Sequence, residues 1–318
     1  MKMNTKHLMA VTGASALALG LAACGGDGGS GGGDGPLSGA SITVGSKDFD
    51  EQLILGNISK LALENAGADV TDQINTGGTD AARAALVGGD INTYWEYNGT
   101  AWISFFGETE PIPDRIEQYE VVRDRDLEEN NLVWLAPAEF NNTYGIAFQS
   151  DIADDLGNPE TISDYAEIVA DDPSTASLCV ESEFAARDDG LPGLEEAYGF
   201  DLPTDAITQL DTALVYTAAA EQDPCNFGEV FTSDGRVPGL DLTVLADDKG
   251  FFPLYNPSPV FTEDVYNEYG DELDAIFDPI SEALTQDAMN GMNEEVSVNS
   301  ARPEQVAEDW MEDNGFLD

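Results

Sequence analysis

From residue 42 onward, short apolar runs alternate with stretches of helical periodicity, and this alternation constrains the fold more than any other feature of the chain. Ile42-Thr43-Val44-Gly45 reads as a short buried strand. The segment 51–66 then places Leu53, Ile54, Ile58, Leu61 and Ala62 on one helical face. A second strand is expected over 70–74. Gly77-Gly78-Thr79 opens a helix that runs to Leu86, a third strand covers 91–97, and Asn98-Gly99-Thr100 leads into another helix. The theme returns downstream, with strands expected over 144–148, 176–180, 227–231 and 242–245. Helices are expected over 162–170, 191–198 and 211–220, and the chain is mostly helical from Glu263. Strand–helix–strand order argues for parallel sheets with flanking helices. The expected fold class is α/β with two lobes, residues 42–143 plus 249–318 forming the first and 144–248 the second. Two chain crossings between lobes would make a hinge around a central ligand cleft.

Ahead of the lobes, Lys2, Lys6 and His7 make a basic start to an apolar stretch over 8–22. That stretch is too short and too small-sided for a membrane span, so a signal peptide over 1–23 is the preferred reading. Leu21-Ala22-Ala23-Cys24 resembles a bacterial lipobox. The resemblance implies cleavage before Cys24, acylation of its thiol, and an extracytoplasmic protein held to the cell membrane by lipid. Ordinary cleavage nearby with a free cysteine is the alternative. Residues 24–41 would then be the lipidated cysteine and a Gly-rich tether. Matches to G-x-S-x-G and G-x-G-x-x-G inside this tether have no strand before them and no helix after, and carry no chemistry.

Cleavage removes the single histidine, His7, and leaves Cys179 and Cys225 outside the cytoplasm. An even pair in that compartment suggests one disulfide, against two buried thiols. Without histidine or a free thiol, His-based triads and cysteine nucleophiles drop out. No metal-binding spacing occurs, and neither a metal nor a cofactor is expected. A secreted hydrolase built on a carboxylate pair remains the one simple enzymatic route. The 62 Asp and Glu against 12 Lys and Arg, a formal net charge of −50, argue against nucleic acid as a partner. The acids are spread along the chain, as in a strongly solvated acidic surface suited to salty surroundings.

In open parallel sheets, ligands bind beyond the carboxyl ends of the strands. In the first lobe those ends carry Ser46 and Lys47, Gly77-Gly78-Thr79, and Tyr97 to Thr100. The last two loops begin helices, whose free N–H groups favour an anion. In the second lobe Arg187 lies among Glu183, Asp188, Asp189 and a further acid, either as an ion-pair cluster or as a bidentate grip on a ligand carboxylate. Tyr97, Tyr144, Phe231 and Tyr255 stand at strand ends or lobe crossings. Each alone reads as core. Converging on one cleft, they would form a cage for a quaternary ammonium, worth about 0.5–2 kcal/mol per ring. Tyr94, Trp95 and Trp102 read as packing, from strand alternation and the helix that follows.

G-S-K-D-F-D-E-Q-L-I-L-G at 45–56, G-G-T at 77–79, Y-W-E-Y-N-G-T at 94–100, E-F-A-A-R-D-D-G-L-P-G-L at 183–194, T-S-D-G-R at 232–236 and L-A-D-D-K-G-F-F-P at 245–253 follow one another in order. Together they resemble the substrate-binding proteins of glycine betaine, carnitine and choline ABC transporters. The resemblance implies a type II periplasmic-binding-protein-like fold that closes on a compatible solute and meets a membrane permease, as a monomer. It implies that Lys47, Thr100 and Arg187 hold a ligand carboxylate, and that Tyr97, Tyr144, Phe231 and Tyr255 cage its cation. Asn142 and Glu183 are further candidates at the site. Phe231 stands where a tyrosine is usual, and Asn142 where some relatives carry an aspartate, which makes the cage less negative. Glycine betaine is the first expectation, with carnitine and choline next. An amino acid or polyamine on the same fold is the alternative.

Overall fold

The computed structural model describes residues 35–108 and 111–317. The signal-peptide stretch, Cys24 and most of the tether lie outside the described residues. Among the described residues ten strands form two five-stranded sheets of the same plan. The first sheet contains β1 (Ser41–Gly45), β2 (Asp69–Gln73), β3 (Thr93–Tyr97), β4 (Leu132–Trp134) and β10 (Pro257–Thr262), in the order β2-β1-β3-β10-β4. The second contains β5 (Tyr144–Gln149), β6 (Leu178–Val180), β7 (Ile207–Gln209), β8 (Phe227–Phe231) and β9 (Leu242–Val244), in the order β7-β6-β8-β5-β9. In each, three parallel strands are linked by helices, and a fourth, antiparallel strand is laid beside them. The chain passes to the second sheet between Trp134 and Tyr144 and returns between Val244 and Pro257.

The antiparallel strand β10 is invisible in the sequence reading, because Pro-Ser-Pro argues against a strand with neighbours on both sides. Its register explains the tolerance. The carbonyls of Pro257 and Pro259 accept from Ala138 and Leu135 N–H. The missing N–H groups therefore face the same side, beyond the end of the β4 ladder, which covers only Val260 to Thr262. No bond to β3 is lost. The helix Arg115–Asn130 also escaped the sequence reading. It buries only Gln118, Val122 and Asp126, four residues apart, so its inner face is mostly polar. Asp114 caps it by accepting from Ile116 and Glu117 N–H. Asp126 holds Arg83 and the indole N–H of Trp134 from inside.

Two cores result. Helix Asp50–Asn65 and the C-terminal helices Glu263–Ala283, Gln286–Ser297 and Pro303–Asp313 pack with Trp95, Phe261 and Phe277 around the first sheet. The second core, around Phe148, Tyr165 and Phe227, runs on without a break into Tyr144, Phe252, Tyr255 and Tyr97. One cluster of side chains thus joins the second sheet to the end of β3. Cys179 on β6 is bonded to Cys225, just ahead of β8. At a sequence separation of 46, the cross-link stabilises by about 4 kcal/mol in the chain-entropy account. Among the described residues no helix is long and apolar enough to cross a membrane.

Candidate functional site

The carboxyl ends of β1, β2 and β3 face the segment after β6 and the end of β8 across one cavity. Lys47, Tyr97, Thr100, Asn142, Tyr144, Glu183, Arg187, Phe231 and Tyr255 all line it. Strand ends and crossings converge here because both sheets direct the same ends inward. Tyr94 and Trp95 are buried in packing instead, Trp95 donating its indole N–H to Ser59.

The rings form a connected wall. Tyr144 lies 5.1 Å from Phe231 and 5.5 Å, edge-on, from Tyr255. Phe49, at the start of helix Asp50–Asn65, stacks on Phe231 at 5.5 Å and on Tyr97 at 6.2 Å. Sequence reasoning assigned Phe49 no role. It sits between two aspartates in a turn, where an apolar side chain gives no periodic signal. Burial holds the phenols of Tyr97, Tyr144 and Tyr255 protonated well past their ordinary range. The Tyr97 hydroxyl donates to Glu51 and that of Tyr255 to Asp189. The Tyr144 hydroxyl makes no hydrogen bond among the described residues.

Both basic groups arrive with partners. The Lys47 side chain is 3% exposed, and its Nζ donates to Glu96 Oε1 at 2.7 Å and stands 5.2 Å from the Tyr97 ring centre. Arg187 donates from Nε and one terminal nitrogen to both oxygens of Asp189, at 2.8 and 2.5 Å. Its other terminal nitrogen has only a 3.4 Å contact to Glu183. The helix N-terminus at Thr79 also has its anion: Thr79 N–H donates to Glu183 Oε1 at 2.9 Å. Burial alone would raise the Glu183 carboxyl, but hydrogen bonds from Thr79 and the charges of Lys47 and Arg187 outweigh it and hold the group below its usual range.

The description "Substrate binding domain of ABC-type glycine betaine transport system" fits residues 40–313. The chain belongs to that family. It is similar to the glycine-betaine-binding protein of Pseudomonas aeruginosa, 37% identical over 284 residues, 87% of this chain and 89% of the relative. It is also similar to the glycine betaine-binding protein YehZ of Escherichia coli, 34% identical over 289 residues, 88% of this chain and 93% of the relative. The apo structure of YehZ matches with a TM-score of 0.64 and 32% identity, covering 87% of this chain and 99% of that one. Family members bind solutes for ABC importers, which sets aside the carboxylate-pair hydrolase. The fold is the α/β, two-lobed type II fold of such binding proteins.

Within this solute-binding fold, the walls carry more acid than base. Asp48, Glu181 and Glu183 line the cavity beside Lys47 and Arg187. Burial raises the Glu181 carboxyl. Behind it Glu229 is pushed up to about 8, by burial first and then by the charge of Glu181. The acids paired to Lys47 and Arg187 had only a weak sequence signal. β3 is buried along its whole length, so Thr93-Tyr94-Trp95-Glu96-Tyr97 shows no alternation to mark Glu96 as inward. Asp189 is one of four acids near Arg187 in the sequence, with nothing there to single it out.

Proposed function

We propose that this chain is the extracytoplasmic binding component of an ABC importer for a quaternary ammonium compatible solute, glycine betaine first. The observation that carries the reading is the meeting, in one cavity, of five ring systems with Lys47, Thr100 and Arg187. A trimethylammonium group has no N–H to donate, so ring faces suit it better than hydrogen-bond acceptors. Tyr97, Tyr144, Phe231 and Tyr255, with Phe49, would cage it. Arg187 is fixed by Asp189 yet keeps one terminal nitrogen toward the cleft, which suits a ligand carboxylate. The Thr100 hydroxyl, which has no hydrogen-bond partner among the described residues, and Lys47 would complete that clamp. Residues 42–143 with 249–318, and 144–248, would move as the two lobes, closing on solute and presenting a shaped face to a permease. Acylation at Cys24 would tether a monomer to the membrane.

A second ligand is favoured by one observation, the surplus of acid in the walls, which suits a net cation such as choline. Calorimetric titration of the purified protein with glycine betaine and with choline, in moderate and in high salt, separates the two. Tight betaine and weak choline binding is the expected result. Choline alone would keep the cage and discard the clamp. Binding of neither by folded protein would contradict the reading.

A further inference from the structure

Behind Tyr97 lies a carboxylate to which the sequence assigns no role. Glu51, in the first turn of helix Asp50–Asn65, is 3% exposed. Its Oε1 accepts from the Tyr97 hydroxyl at 2.7 Å and from Asn142 Nδ2 at 2.9 Å. Its Oε2 lies 2.9 Å from the donor Asn293 Nδ2 and 2.8 Å from Ser233 Oγ. The four neighbours come from the end of β3, the segment entering β5, the loop leaving β8, and helix Gln286–Ser297. All are neutral. The charged groups around Glu51 are already engaged. Asp50 on its own helix faces Arg236, and Arg236 is bonded to Asp234 in the loop after β8. Lys47, beyond the Tyr97 ring, is held by Glu96. Glu294, beside Asn293, lies against Gly235. Among the described residues no lysine or arginine pairs with Glu51. A buried carboxylate without a counter-charge is costly unless it takes a proton.

The hydrogen count points the same way. Ser233 Oγ sits 2.8 Å from Glu51 Oε2 and 2.7 Å from Asn142 Oδ1. One hydroxyl proton serves one acceptor. With Glu51 ionised, Ser233 can donate to only one of the two, and the other remains an oxygen–oxygen approach of 2.7–2.8 Å with no proton in it, even though Asn293 still donates to Oε2. With Glu51 protonated, its O–H donates to Ser233, Ser233 donates to Asn142, and the Asn142 amide donates back to Glu51 Oε1. Every proton in that ring has a place. Burial raises the Glu51 carboxyl, against hydrogen bonds from Tyr97, Asn293 and Ser233 that lower it.

We propose that Glu51 is a positioning residue for the ligand's cation: it is protonated in the empty cleft, and it ionises when a quaternary ammonium fills the cage. The O–H bond of Glu51 breaks, the proton leaves to the buffer, and the carboxylate becomes the counter-charge acting through Tyr97. A phenol donating to a carboxylate has a more electron-rich ring, which strengthens its hold on a cation. The cation in turn favours the ionised acid. Binding is then linked to proton release, and affinity rises with pH while Glu51 is protonated in the empty protein. This inference rests on the quaternary ammonium reading above.

The test is calorimetry of the purified protein with glycine betaine and with choline, in buffers of different ionisation heat. The buffer dependence counts protons. Wild type should release roughly half to one proton per ligand in the range where the empty-state acid is protonated. Glu51→Gln should release none, bind about tenfold more weakly, and lose its pH dependence. Tyr97→Phe keeps the ring but breaks the link, and should reduce both release and affinity. Binding without proton release in wild type, at every pH tried, would overturn this proposal alone, whatever the variants do. Release that persists in folded Glu51→Gln would overturn it too. No binding of either ligand by wild type would overturn the quaternary ammonium reading and this proposal with it.

Discussion

Arg187→Ala is expected to weaken glycine betaine binding on the order of a hundredfold, while choline loses less than about tenfold. The difference follows from the ligand. A zwitterion loses a charge-assisted bond from the one terminal nitrogen that Asp189 leaves free. Choline has no carboxylate to lose. The variant should also be less stable, because Asp189, 2% exposed, would keep, among the described residues, only the Tyr255 hydroxyl. Breaking a buried pair costs about 3–5 kcal/mol, and the partial exposure of Arg187 puts this one toward the lower figure. Calorimetry with both ligands, alongside thermal unfolding, reads the two effects separately. Equal losses for betaine and choline would contradict the clamp.

Tyr144→Ala is expected to abolish measurable binding of both ligands. Tyr144 is the hub of the wall, touching Phe184 and Phe231 at 5.1 Å, Tyr255 at 5.5 Å and Phe252 at 5.9 Å. Truncation removes one cage face and lets the neighbouring rings collapse into the gap. It should cost about 3–5 kcal/mol in stability, as for other large aromatic truncations in cores. Tyr144→Phe is the control. The hydroxyl makes no hydrogen bond among the described residues, so stability should change by less than about 1 kcal/mol and the ring face is kept. Denaturant unfolding and ligand titration of both variants check this. Intact betaine affinity in a folded Tyr144→Ala protein would contradict the cage.

The regular parts of the fold were legible because their patterns are local. The strand at 42–45, the helix that follows and the Gly77-Gly78-Thr79 turn each announce themselves within a dozen residues. Strand β10 and helix Arg115–Asn130 were not legible. Pro257 and Pro259 are tolerated only through a register that sequence does not display, and Gln118 and Asp126 are polar residues buried by partners far along the chain. The site divides the same way. The rule that ligands sit at strand ends gathered Lys47, Tyr97 and Phe231, and the family resemblance supplied the roles proposed for them. The partners that set their charge were hidden. Glu96 meets Lys47 across 49 positions, and Glu51 meets Asn142 across 91 and Asn293 across 242. Those contacts exist only once both sheets and the C-terminal helices are assembled.

The most direct test of the central claim is the affinity of the purified protein for glycine, N-methylglycine, N,N-dimethylglycine and glycine betaine. The four share a carboxylate and differ only in how many N–H groups are replaced by methyls. A ring cage without matched acceptors predicts that affinity climbs with each methyl and is highest for glycine betaine. A flat or falling series would contradict it, and would place this cleft among receptors for amines that donate hydrogen bonds.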